Sequence, residues 1–154
     1  MFGSISTDTI TIDAPLAVVW AVYSDIEHWP EWTASVTTAY LVPSGPLALG
    51  SRASIKQPRF PRVTWTVTLI EPERSWTWAN HSIGAHTSAD HRLTQLDGQR
   101  TRVDLSIDQR GLLGRPIGWL VKRTTRRYLR MEAEGLRDRS QSKTGPIDEA
   151  RRQQ

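Results

Sequence analysis

The sequence predicts a single α+β domain in which a curved antiparallel sheet of about seven strands wraps around one long C-terminal helix. Residues 116–139 form the longest stretch in which apolar residues recur at helical spacing. The chain before this stretch consists of short alternating segments rich in Thr, Val and Trp, which are typical of strands. Alternation with one apolar and one polar face indicates a sheet covered on one side, and the long helix supplies the cover.

The first elements are a strand and two short helices. Residues 5–12 alternate, and a helix is predicted to open at Pro15, because proline suits the first turn. Ser24 and Glu27 have the spacing of a capping box, which predicts that a second short helix follows.

Six further strands are predicted, separated by turns rich in Pro and Gly. They comprise residues 36–42, 52–57, 63–71, 75–80, 85–96 and 101–110. Asp97 and Gly98 give the clearest hairpin turn. Within residues 63–69 three Thr occupy one face, and the other face is predicted to carry Val63, Trp65, Val67 and Leu69.

The long helix is predicted to begin at Pro116 and to end the folded domain at Arg139. Its apolar stripe is predicted to contain Ile117, Leu120, Val121, Thr124, Tyr128, Met131 and Leu136. Residues 140–154 are polar and without pattern, so we expect a disordered tail there and a domain comprising residues 1–139.

Composition limits the possible classes of protein. The chain has 154 residues, a net charge of +4 and no Cys, which excludes disulfides and thiolate chemistry. The N-terminus lacks the basic start and apolar core of a signal peptide, and no apolar run is long enough to cross a bilayer. We therefore expect a cytoplasmic location.

A set of residues recurs in a characteristic order along these elements, over residues 5–138. The set is Ile12-Asp13-Ala14-Pro15, Val19-Trp20, Asp25, Trp29-Pro30-Glu31-Trp32, Gly50-Ser51, Glu71-Pro72, Trp76-Thr77-Trp78, His91-Arg92-Leu93, Thr101, Gly111-Leu112-Leu113 and Tyr128. This set and the order of the elements resemble the START-like (SRPBCC) superfamily, most closely its polyketide cyclase/dehydrase-like branch. It implies a helix-grip fold with a deep cavity between sheet and helix. Cavity positions carry over, but no catalytic group does.

Inward-facing positions on the strands and the helix are predicted to bind a ligand. They are Ile55, Trp65, Val67, Trp76, Trp78, His91, Val103, Leu105, Ile117, Val121, Thr124 and Tyr128. Trp65, Trp76 and Trp78 suit the wall of a pocket for a flat or apolar molecule, and the alternative is that they only fill the core.

His91 and Tyr128 are the candidate catalytic residues, since an imidazole among small neighbours can exchange protons near neutral pH. His81, His86 and His91 do not predict a metal site, because residues five apart on a strand point to opposite faces. The sequence indicates no cofactor, no serine-nucleophile motif and no pair of inward carboxylates.

Three functions remain open from the residues alone. The first is a binding or transport protein for a small hydrophobic or aromatic ligand. The second is a cyclase/dehydrase-type enzyme that uses the same cavity. The third is an interaction protein that acts through a basic helix face comprising Arg110, Arg115, Lys122, Arg123, Arg126, Arg127 and Arg130. A solvated face is the default for such a run, transient contact with a membrane or an acidic partner is the alternative, and specific nucleic-acid binding is not expected.

Overall fold

The computed structural model describes residues 3–152, without the side chains of residues 114, 115, 117 and 145–152. The elements in order are β1 (Ser4–Ile12), α1 (Leu16–Ser24), a 3₁₀ helix (Ile26–Glu31), β2 (Thr38–Val42), β3 (Arg52–Lys56), β4 (Val63–Glu71), β5 (Ser75–Ser82), β6 (Ala85–Asp97), β7 (Arg100–Arg110) and α2 (Gly114–Arg152). The described strands form one antiparallel sheet in the order β1-β7-β6-β5-β4-β3-β2. The predicted helix-grip architecture is confirmed.

Helix α2 packs against β1, β7 and α1, so the apolar core lies between the helices and one face of the sheet. Gly135 allows a close approach here. A Cβ atom at this position would clash with the backbone oxygen of Trp32, which follows the 3₁₀ helix. The contact fixes the position of α2 relative to the segment after α1.

The predicted capping box at Ser24 is wrong. The hydroxyl of Ser24 donates a hydrogen bond of 2.7 Å to the carbonyl oxygen of Trp20, one turn earlier in α1. The carboxylate of Glu27 accepts a hydrogen bond of 3.0 Å from the backbone of Leu41 in β2. Ser24 is therefore the last residue of α1, and its hydroxyl bonds back to its own helix.

A β-bulge in β4 changes which side chains face the core. Val67 pairs with Trp78 and Leu69 with Thr77, so the register shifts between Val67 and Leu69. Leu69 is exposed as a result, whereas Ile70 packs against the core. The prediction that Leu69 points inward is wrong, because an extra residue reverses the alternation beyond it.

Helix α2 is longer than predicted, and the face that it buries differs from the predicted apolar stripe. It runs through residue 140, where the tail was predicted to begin, and Ser140 is fully buried. Residues 140–144, which the sequence assigned to the tail, lie within this helix. Leu120 is 75% exposed although the predicted stripe contains it. The buried face instead carries Thr125, Tyr128, Leu129, Ala133, Leu136 and Ser140.

Candidate functional site

A cavity of about 520 Å³ lies between α2 and the face of the sheet formed by β3 to β7. Apolar and aromatic side chains supply much of its wall, and these include Ile55, Phe60, Val63, Trp65, Ile107, Val121, Tyr128 and Leu129. Polar groups in its wall include His81 and Ser82 at the end of β5 and Arg62 in the segment between β3 and β4. The composition of the wall suits a ligand that is mainly apolar.

A void of about 50 Å³ lies deeper between the same elements. The two spaces share six wall residues, which are Ile55, Gln57, Trp65, Ile107, Leu129 and Glu132. Trp78 and His91 line only the inner void. Glu132 therefore lies where the open cavity meets the aromatic core.

Glu132 is a buried acidic group of this cavity that sequence reasoning missed. Its side chain is only 12% exposed, and Oε1 accepts a hydrogen bond of 2.7 Å from the hydroxyl of Tyr23 in α1. Burial raises the pKa of Glu132 from 4.5 to about 7, and the hydrogen bond from Tyr23 opposes this rise only in part. Among the described residues, no group donates a hydrogen bond to Oε2. A carboxyl group that exchanges its proton near neutral pH thus faces the cavity.

The same burial raises the pKa of the Tyr23 hydroxyl well above its usual value of 10.0, and the nearby charge of Glu132 adds to the rise. Tyr23 consequently remains protonated and acts as a donor to Glu132. Its ring is fully buried and contacts Trp29 and Trp76 at centroid distances of 5.4 and 4.7 Å. This packing fixes the direction of the hydroxyl group.

His91 is buried in the aromatic core and does not exchange protons near neutral pH. Its ring stacks on Trp76 at 4.2 Å between centroids, and its Nδ1 lies 3.4 Å from the carbonyl oxygen of Trp76. Burial lowers the pKa of His91 to about 3. His91 is therefore uncharged at neutral pH. Its Nε2 lies 3.8 Å from Oε1 of Glu132, but the two side chains do not form an ion pair at that pH. Of these two groups, Glu132 is the one whose pKa lies near 7.

The structure divides the other residues predicted to bind a ligand into three groups. Those at the wall of the open cavity or the inner void are Ile55, Trp65, Trp78, Leu105, Val121 and Tyr128. Val67, Trp76 and Val103 are buried core residues outside both walls, and Thr124 is half-buried on α2 outside them as well. The side chain of Ile117 lies outside the described residues.

The spacing of Glu132 in the sequence indicates that its side chain faces the core. Glu132 follows Tyr128 by four residues and precedes Leu136 by four, so all three lie on one face of the helix. The search for a pair of inward carboxylates on the strands passed over this single buried carboxylate on α2. Across the described part of the chain, no three His, Asp or Glu side chains converge in a way that holds a metal ion.

An antiparallel sheet closed by a long helix, with an apolar cavity between them, defines a START-type ligand-binding fold. The chain belongs to the family described as "Polyketide cyclase / dehydrase and lipid transport", which matches residues 5–141. None of the curated proteins matches the sequence. None of the helices in the described part of the chain is both long and apolar enough to span a membrane.

Solved structures share the fold at low sequence identity. A START superfamily protein from Mycobacterium smegmatis is 16% identical, with a TM-score of 0.71 over 90% of this chain and 97% of its own. The Zhui aromatase/cyclase from Streptomyces sp. R1128 is 17% identical, with a TM-score of 0.72 over 93% and 96%. A norcoclaurine synthase mutant from Thalictrum flavum is 12% identical, with a TM-score of 0.73 over 93% and 97%.

Proposed function

We propose that the protein binds a small, mainly hydrophobic or aromatic molecule in the cavity between the sheet and α2. The observation that carries the proposal is a cavity of about 520 Å³ with aromatic and aliphatic walls. Ligand pockets in proteins measure roughly 300–1,000 Å³ and combine apolar walls with a few polar groups. Trp65 and Tyr128 provide flat surfaces for an aromatic ligand, and Glu132 provides the polar contact.

The protonation state of Glu132 determines whether its carboxyl group donates a hydrogen bond to the ligand or only accepts one. At pH values well below 7 its carboxyl group is protonated and donates a hydrogen bond to a ligand carbonyl or hydroxyl oxygen. At pH values well above 7 the carboxylate accepts hydrogen bonds only. A polar group of the ligand that reaches the inner end of the cavity therefore meets a partner whose state changes near neutral pH.

A cavity-filling substitution tests the proposal. Binding of a neutral apolar fluorophore such as N-phenyl-1-naphthylamine is measured for the natural sequence, Val121→Trp and Leu120→Trp. Val121 lines the cavity, whereas Leu120 points to solvent one residue earlier. We expect Val121→Trp to weaken binding about tenfold or more, which corresponds to at least about 1.4 kcal/mol. Equal affinity of all three folded proteins contradicts the proposal. Native mass spectrometry of protein purified from its source then identifies the natural ligand.

A second candidate function is a cyclase/dehydrase-type enzyme, and the raised pKa of Glu132 is the observation that favours it. The carboxylate would remove a proton from a carbon between two carbonyl groups of a polyketide-like chain. The resulting enolate carbon would attack another carbonyl of the same chain and close a ring, and the carboxylic acid would return the proton to the new alkoxide. Glu132→Gln should then abolish turnover and leave fluorophore binding within about twofold. Turnover of such a chain by Glu132→Gln at the natural rate rejects this candidate.

A further inference from the structure

Four large apolar side chains in the turn between β5 and β6, in the segment after β7 and near the start of α2 are exposed to solvent. Ile83 in the turn between β5 and β6 is 94% exposed, and Leu112 in the segment after β7 is 93% exposed. Trp119 and Leu120 near the start of α2 are 77% and 75% exposed. We call these four residues the apolar end. Single exposed apolar residues are common, whereas a group of them is typical of an interaction site.

The backbone holds parts of the apolar end together. The backbone nitrogen of Leu113 donates a hydrogen bond of 2.8 Å to the carbonyl oxygen of Gly84. Gly84 has a φ of +72°, and a Cβ atom there would lie 2.9 Å from the side chain of Leu113. The turn that carries Ile83 and the segment that carries Leu112 therefore touch each other.

The apolar end lies next to residues that line the ligand cavity. Ser82 and Ala85, on either side of the turn that carries Ile83, line that cavity. Val121, which follows Leu120, lines it as well. A surface that covered the apolar end would thus lie next to this part of the cavity wall.

Positive charges continue from the apolar end along α2. Lys122, Arg123, Arg126 and Arg127 are exposed, and none of them forms an ion pair with a described residue. We call these four residues the basic flank. Residues 111–131 contain no Asp or Glu, so no neighbouring carboxylate in this segment neutralises them. Arg130 differs, because it pairs with Asp8 and Glu134.

We propose that the apolar end and the basic flank form a docking surface for an anionic lipid bilayer. Each Lys or Arg near an anionic membrane contributes about 1 kcal/mol, and Trp favours the interface between headgroups and acyl chains. Charge complementarity identifies the partner as anionic. The exposed apolar side chains project from a turn, a connecting segment and a helix, and a fluid bilayer accepts separate projecting groups without matching pockets. The proposal depends on surface residues and is independent of which ligand the cavity binds.

Vesicle binding tests the proposal directly. The full chain is mixed with large unilamellar vesicles of phosphatidylcholine alone or of phosphatidylcholine with 30% phosphatidylglycerol, and the bound fraction is measured by sedimentation. We expect binding to the anionic vesicles at 100 mM salt, at least tenfold weaker binding to the neutral vesicles, and loss of most binding at 500 mM salt. Equal binding to both vesicle types, or no binding to either, overturns the proposal.

Variants of the proposed docking surface, each with a control variant elsewhere on the protein, test which residues bind the vesicles. Arg123→Gln with Arg126→Gln should weaken binding to anionic vesicles roughly 20-fold or more, since each lost cation corresponds to about fivefold. The control pair, Arg52→Gln with Arg59→Gln, removes two exposed cations from β3 and the segment after it and should leave binding unchanged. Trp119→Ala should weaken binding at least about fivefold, whereas Leu49→Ala, at a site 68% exposed before β3, should not. Equal losses in the control variants contradict the proposal.

Brominated lipids measure how deeply the side chain of Trp119 inserts into the bilayer. Bromine on the upper acyl chain quenches the emission of Trp119 if this side chain inserts, and Trp119→Phe should lose that component of the quenching while remaining bound. Quenching that persists fully in Trp119→Phe overturns the assigned orientation. A soluble acidic protein that binds the basic flank in preference to anionic vesicles likewise rejects the bilayer as the partner.

Discussion

The hydroxyl of Tyr23 donates a hydrogen bond of 2.7 Å to Oε1 of Glu132, and this bond joins α1 to α2 across 109 positions of sequence. It places a carboxyl group with a pKa of about 7 at the inner end of an apolar cavity. Both the proposed ligand contact and the pH dependence of stability follow from this pair.

The first prediction concerns the loss of stability as pH rises from about 4.5 through 7. The pKa of Glu132 is about 7 in the folded protein and about 4.5 in the unfolded chain, so folding binds a proton between these values. The contribution of Glu132 to stability is therefore lost as pH rises from about 4.5 through 7. Glu132→Gln keeps an acceptor for Tyr23 and should remove this loss, which is on the order of 3 kcal/mol at pH 8. Urea unfolding of both proteins from pH 4.5 to pH 8.5 measures the difference.

The control for that series is Glu134→Gln, which lies two residues further along α2 in a surface ion pair with Arg130. This variant should change stability by less than about 1 kcal/mol at any pH in the series. If Glu132→Gln has the same pH profile as the natural sequence, the carboxyl group is not buried as described.

The second prediction concerns the stability of the folded protein at acidic pH. Burial keeps His91 neutral with a pKa of about 3, against 6.5 when unfolded, so the unfolded chain binds more protons between these values. Stability is present above about 6.5 and is lost as pH falls toward 3, by up to about 5 kcal/mol. His91→Phe keeps a ring that stacks on Trp76 and should flatten this acid limb. Thermal unfolding from pH 3.5 to pH 7 compares the two proteins, and an unchanged acid limb in the variant argues against a neutral buried imidazole.

The third prediction tests the contact between α2 and the segment after α1. Gly135→Ala should destabilise the protein by about 1–3 kcal/mol, because the new methyl group meets the backbone of Trp32, which cannot rotate away. Gly98→Ala is the matched control, since a Cβ atom there has no neighbour within 4 Å. The free energy of unfolding in urea distinguishes them. A stable Gly135→Ala protein would show that α2 lies further from Trp32 than described.

The fourth prediction concerns the length of α2. Ser140 is fully buried, and the side chain of Gln141 accepts a hydrogen bond of 3.0 Å from the backbone of Asp13. A chain that ends at Arg139 loses these contacts, whereas a chain that ends at Thr144 keeps them. We expect the shorter chain to melt lower than the longer one by several degrees, which corresponds to about 1–2 kcal/mol. Equal melting temperatures of the two chains would show that the contacts of residues 140–144 do not stabilise the protein.

The sequence predicts the fold well because the fold depends on local patterns. β4 begins at Val63 and ends at Glu71 as predicted, since Thr, Val and Trp alternate there without interruption. The bulge that exposes Leu69 has no such signal, because it depends on pairing with β5. The predicted alternation therefore fails only where a partner strand shifts the register.

The chemistry of the site was harder to predict than its wall. A glutamate on a basic helix is normally a surface residue, and only its position four residues after Tyr128 indicates burial. The pKa of His91 depends on Tyr23, Trp29 and Trp76, whose rings come from distant segments and exclude water. Side-chain pKa values follow from tertiary packing, so composition and spacing do not provide them.

The pairing of β1 with β7 has a consequence for folding during synthesis. β1 is an edge strand, and its described partner in the sheet is β7, which ends at Arg110. When the ribosome makes the chain, β1 emerges before β7 and lacks this partner until the strand that ends at Arg110 has also emerged. Contacts between residues far apart in sequence slow folding, and unpaired strands favour association between chains. The interval before β7 emerges is therefore the period in which a nascent chain of this protein is most exposed to aggregation.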